Sequence, residues 1–133
     1  MKRTFKFNNK QDIPIVVAEI YGKTDSCVAR LVFDTGAAVT QFDTPLIDAL
    51  GYSAAEGEQI VSAYGPAGEM QTGYSLKISK IEVLGITFEA PSVAVYDFDN
   101  LSTSKIDGLL GFDLIKQLKL EMDGPEGELT VHL

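Results

Sequence analysis

An all-β fold with two short helices is what this sequence predicts, on three observations. Short apolar runs rich in Val, Ile, Phe and Tyr recur along the chain, punctuated by Gly, Pro, Asp and Ser turns. Two of these runs end in a glycine-bearing loop followed by a short helical pattern, one around Asp34 and one around Gly111. Helix start and stop signals are otherwise scarce.

Taken in order, residues 10–23 are dominated by Ile13, Ile15, Val16, Val17, Ala18, Ile20 and Tyr21 and read as a strand. Thr24-Asp25-Ser26 is a turn and 27–33 the antiparallel return. Thr44 is a good N-cap residue, Pro45 suits the first helical position and Gly51 the position past the end, so a short helix is expected there. Residues 59–64 and 69–78 flank Gly65-Pro66-Ala67-Gly68, a hairpin tip whose two glycines suggest a mobile arm rather than a packed corner. Residues 80–84 and 86–89 pair around Gly85, 92–96 adds a strand, and 97–105 is a polar loop. A second apolar strand, 106–111, ends in a glycine and leads to a helix over 112–118 with Leu114, Ile115 and Leu118 on one face. Residues 119–122 and 128–133 form a closing hairpin. The two half-chains thus share strand, glycine loop and short helix, an echo that predicts two similar motifs packed face to face.

Composition sets the bounds. The chain has 133 residues, 45% hydrophobic and 23% charged, enough for one domain spanning 1–133 and its core. With the single Cys27 and the single His132, neither an intrachain disulfide framework nor a thiol–imidazole zinc site can be built. A net charge of −8 argues against nucleic acid and anionic membrane surfaces as partners. No segment has the apolar length of a membrane span, so no membrane insertion is expected. The first eight residues carry positive charge without an apolar run behind it, so as written they are no signal peptide and the chain reads as cytoplasmic. An exported form is left open.

The chemistry concentrates at Leu31-Val32-Phe33-Asp34-Thr35-Gly36-Ala37-Ala38. An apolar strand end holds the backbone rigidly, Asp34 sits where the chain leaves the sheet, and Gly36 permits a turn whose N–H groups face the carboxylate. A rigidly held acid at a strand end is suited to activating water. A plain turn after a core strand is the bland alternative.

This stretch, the glycine-tipped hairpin and Asp107-Gly108-Leu109-Leu110-Gly111-Phe112-Asp113-Leu114-Ile115 closely resemble the retropepsin-like aspartic proteases, with the elements in that family's order from about residue 13 onward. The resemblance implies a closed β-barrel with a flap hairpin, peptide-bond hydrolysis, and no cofactor or metal. It implies Asp34 as the catalytic aspartate, Thr35 as the brace to a partner subunit and Gly36 as a backbone contact for substrate. Ala37 and Ala38 continue the substrate-facing loop. Tyr64, Gly65, Pro66, Ala67 and Gly68 correspond to the flap tip, and Leu109, Leu110 and Gly111 to the strand end supporting the catalytic loop. Ala38 and Phe112 stand where retroviral enzymes carry an ion-paired Asp and Arg, which places the chain nearer the cellular and bacterial branch.

Hydrolysis by this route needs one carboxylate to take a proton from water while another protonates the carbonyl oxygen. The chain has a single Asp-Thr-Gly, and Asp107-Gly108 and Asp123-Gly124 lack the hydroxyl residue. The economical solution is a homodimer that sets Asp34 opposite its own copy, with an extended polypeptide held like an added strand. Val39, Ile60, Leu109, Leu110 and Ile106 are expected to line apolar subsites. Two rivals remain: a catalytically silent peptide-binding or dimerisation module of the same fold, and a phosphoryl-transfer enzyme using Asp34 as nucleophile, for which no metal-binding cluster is visible. Asp97 and Asp99 read as a solvated loop rather than metal ligands. Cys27 reads as a small apolar strand residue, and His132 as surface or dimer-edge.

Overall fold

The computed structural model describes residues 1–64, 68–98 and 105–133, apart from the side chains of residues 63 and 64. Among these, the strands are β1 (Lys2–Lys6), β2 (Ile15–Tyr21), β3 (Ser26–Phe33), β4 (Gln41–Asp43), β5 (Glu58–Tyr64) and β6 (Glu69–Lys77). They continue with β7 (Lys80–Val83), β8 (Ile86–Glu89), β9 (Ser92–Tyr96), β10 (Gly108–Leu110), β11 (Lys119–Asp123) and β12 (Glu128–His132). Two short helices, α1 (Thr44–Ala49) and α2 (Phe112–Ile115), and a single 3-10 turn (Ala54–Glu56) complete the list. The all-β class with two short helices expected from the sequence is the class found.

Nine strands form one sheet in the order β5-β6-β9-β4-β10-β3-β2-β7-β8, and β1-β12-β11 form a second. The period-2 signal carries through to burial. Val16, Ala18 and Ile20 of β2 and Ala29, Leu31 and Phe33 of β3 face the core, whereas Val17 and Val28 point to solvent. Leu76 of β6 and Phe88 of β8 come from opposite ends of the large sheet yet join the same core cluster, so the sheet wraps around that core. Phe42, Ile47, Leu110 and Val95 are fully buried at its centre.

The two strand–loop–helix motifs lie side by side rather than face to face. β3 and β10 are parallel neighbours, with Leu31 opposite Gly108 and Phe33 opposite Leu110. Face-to-face packing would bury each apolar strand against the other's helix. The ladder instead joins their backbones, which puts both strand ends at the same edge of the core.

Other differences have local causes. The strand expected over residues 10–23 is β2, which begins at Ile15. β1 and β4 escaped the sequence reading because neither shows apolar alternation. β1 exposes all but Phe5 and takes its hydrogen bonds from β12, and β4 is three residues long and wedged between β10 and β9. Asp43, not Thr44, is the N-cap of α1. Its side chain does not cap, because Oδ1 accepts the Phe98 N–H at 3.0 Å. Gly51, at φ +88°, does fill the position past the helix end. α2 stops at Ile115, after which Gln117 and Leu118 donate to carbonyls three residues back in a tightened turn. His132 sits in β12, the middle strand of the small sheet, between Lys2 and Lys119, and is half-buried.

Gly108 sets the spacing between β10 and β4. A Cβ there would stand 2.2 Å from the Gln41 carbonyl oxygen and 2.9 Å from the Phe42 ring. Gly108→Ala is therefore expected to destabilise the fold by about 2 kcal/mol or more, read as a lowered midpoint in urea unfolding.

Candidate active site

Asp34 follows the last residue of β3, and its backbone N–H donates to the Leu110 carbonyl of β10 at 3.0 Å. The loop then turns tightly. Gly36 N–H donates to Asp34 Oδ1 at 2.9 Å, and Ala37 N–H to the Asp34 carbonyl at 3.2 Å. A Cβ on Gly36 would approach that same Oδ1 to 3.2 Å, so glycine keeps the carboxylate's flank open. The Asp34 side chain is half-buried, while Thr35, Gly36, Ala38 and Val39 are exposed. One oxygen of the carboxylate is thus fixed by an amide, which leaves the other available to a water molecule or a second acid.

Beneath the loop is a network that the sequence reading missed. Phe112 N–H donates to the Ala37 carbonyl at 2.7 Å. Thr40 is fully buried, and its hydroxyl accepts the Gly111 N–H at 3.0 Å and donates to Asp113 Oδ1 at 2.8 Å. Thr40 N–H lies 3.0 and 3.1 Å from the two Asp113 oxygens, and Leu114 N–H donates to Oδ1 at 2.9 Å. A Cβ on Gly111 would meet the Val39 carbonyl carbon at 2.6 Å and Thr40 N at 2.7 Å, so only glycine fits there. The carboxylate of Asp113 thereby accepts from two backbone amides and a hydroxyl, a charge-assisted set stronger than neutral bonds. Within the sequence, the only signal was Thr40 lying six residues past Asp34 and an acid two past Gly111.

The remaining expected residues divide. Leu110 and Gly111 do sit under the loop. Leu110 is fully buried in the core, and Ile106 is nearly fully buried but borders a cavity with Ile13, Ile15 and Arg30. Leu109 is half-buried beside Gln41 of β4, and Ile60 is half-buried on β5. Gly65, Pro66 and Ala67 lie outside the described residues, as do the side chain of Tyr64 and the whole of Asp99. Gly68, at φ +69°, opens β6 on the far side of the tip. Cys27 is half-buried against the core, and burial, followed by the Asp107 and Glu19 charges, pushes its thiol up. Among the described residues, no group of three or more His, Cys, Asp or Glu is placed to hold a metal ion, and no helix is long and apolar enough to cross a membrane.

Because the buried Gly111 N–H has the Thr40 hydroxyl as its partner, Thr40→Val is expected to cost about 1–3 kcal/mol, with Thr40→Ser recovering most of it. Equilibrium denaturation of the two variants measures this.

Comparison with known proteins places this geometry. The family model described as aspartyl protease matches residues 16–114. A retropepsin-like aspartic protease from Rickettsia conorii superposes with a TM-score of 0.70 at 16% identity, over 98% of this chain and 89% of that one. The EIAV protease in complex with the inhibitor HBY-793 superposes with a TM-score of 0.59 at 19% identity, over 83% of this chain and 91% of that one. At these identities the structural likeness speaks to fold. No curated protein matches the sequence.

Proposed function

Since this chain belongs to the aspartyl protease family, we propose that it is a homodimeric aspartic endopeptidase, 1–133 forming one retropepsin-like domain. The observation that carries the reading is Asp34 itself. It is a lone carboxylate at the meeting point of two parallel strand ends, with one oxygen held by the Gly36 amide and its loop faced by exposed residues. One such acid cannot both accept a proton from water and deliver one to the scissile carbonyl oxygen. Two copies brought face to face share a single proton, since like charges in contact cannot both ionise. The acid that is ionised takes the proton of the attacking water, and the protonated one hydrogen-bonds and then protonates the carbonyl oxygen. The roles reverse as the amine leaves, so the site is regenerated without a covalent intermediate.

A second copy would cover the exposed side of the Asp34 loop, Thr35 and Gly36 included. Phe112, which is 47% exposed and whose amide is bonded to that loop, belongs to the same surface. Covering an apolar ring of this size favours association by the ordinary hydrophobic term. The substrate is an extended polypeptide lying between the β5–β6 hairpin and the loop, with backbone pairing supplying affinity and side-chain pockets supplying choice. Thr35 braces the two loops across the dimer axis, and Gly36 offers its backbone to the substrate.

Asp34→Asn is expected to leave the melting temperature within a few degrees of the parent and to lower peptide cleavage by at least about 100-fold. A library of peptides assayed at several acidic pH values measures it, and retained cleavage overturns the assignment. Binding of pepstatin-type inhibitors with no cleavage by the parent protein favours the silent peptide-binding module instead. Specific activity should also fall on dilution through the concentration at which sedimentation shows the dimer dissociating. Activity independent of concentration in a monomer overturns the two-chain site.

A further inference from the structure

We propose that Tyr96 is a positioning residue, which through its hydroxyl on Ser62 sets the angle of the β5–β6 hairpin for peptide binding. The inference rests on the proteolytic reading for its consequence, though not for its geometry.

β6 is laddered to β9 only over Tyr74–Lys77, with Tyr74 opposite Val95. The β5–β6 ladder runs on well past that point, from the Ile60–Gly73 pair to the Tyr64–Glu69 pair. The outer half of the hairpin is therefore a two-stranded ribbon projecting from the sheet, and such ribbons hold no fixed direction by themselves. Among the described residues, two side-chain hydrogen bonds tie that outer half to the body. Ser62 Oγ and Tyr96 OH share one at 2.9 Å, and Gln71 Nε2 donates to the Asp97 carbonyl at 3.0 Å. Ser62 and Gln71 are register partners, so both ties act on a single rung.

Tyr96 can reach that rung because of Gly73. A Cβ on Gly73 would stand 2.5 and 2.7 Å from ring carbons of Tyr96 and 2.2 Å from the Val95 carbonyl oxygen. The ring lies against the bare backbone of β6 and is only 5% exposed, which fixes it as a strut from the end of β9. A rigid aromatic with two torsions loses little entropy in holding such a contact. Gln71, by contrast, is a flexible side chain on a backbone acceptor. Tyr96 is the stiffer of the two ties, and it bears on β5, the strand at the free edge of the sheet.

The test uses the full chain with Tyr96→Phe, Ser62→Ala and the double variant. Amide hydrogen exchange is followed along β5 and β6, and steady-state cleavage is followed on the best peptide from the library. Each single variant is expected to speed exchange in the outer halves of β5 and β6 by roughly 3- to 10-fold, with β3 and β10 unchanged. Each is expected to raise KM by a similar factor with kcat within about twofold, and the double variant to add little to either single, as befits one shared bond. Tyr96→Phe keeps the ring against Gly73, and Ser62→Ala probes the same bond should that variant not fold. Unaltered exchange in a folded single variant, or a double variant whose effect is the product of the two singles, overturns the strut. Faster exchange with an unmoved KM overturns its role in peptide binding. Absence of cleavage by the parent protein sinks the proteolytic reading, while the exchange data still decide whether Tyr96 holds the hairpin.

Discussion

The junction beneath the Asp34 loop depends on the hydroxyl of Thr40. It is buried, it accepts a hydrogen bond from the amide of Gly111, and it donates one to Asp113, whose carboxylate in turn gathers the amides of Thr40 and Leu114. These contacts join the loop after β3 to the turn after β10. Without them, two buried amides and a carboxylate would lack partners at the point where the strand ends separate, at a cost of several kcal/mol in total. Asp34 is held by two further bonds at the same junction: its own amide is bonded to β10, and its loop carbonyl at Ala37 is bonded to Phe112.

Glycine makes this closeness possible. At Gly108 and Gly111 a side chain would collide with the backbone of β4 and of the segment leading into it. At Gly73 it would collide with β9 and with Tyr96. The first two draw the support under the Asp34 loop, and the third lets an aromatic ring pass beneath the hairpin. Backbone approach of this kind creates polar contacts that longer side chains would hold apart, and it is paid for in chain entropy when the protein folds.

Ala38 and Phe112, on the Asp34 loop and the second turn, carry no charge with which to pair. The loop is held all the same, from below, by Thr40 and Asp113 together with the amide of Phe112. The Phe112 side chain is left facing outward, 47% exposed. One residue thus holds the loop through its amide and leaves its ring exposed.

Much was legible in the amino-acid order alone: the alternation of β2 and β3, the hairpins, the glycine past α1, and the tight turn at Asp34-Thr35-Gly36 after β3. These are local signals, because a half-buried strand or a tight turn is written within a few neighbouring residues. Tertiary structure alone decided the rest. β1 and β4 are strands because distant partners supply their hydrogen bonds, and Asp43 gives up capping α1 because Phe98 claims its carboxylate. Thr40 meets Asp113, and Ser62 meets Tyr96, across 73 and 34 positions of chain. No periodicity encodes such pairs, since what joins them is a parallel ladder and the missing side chains of three glycines.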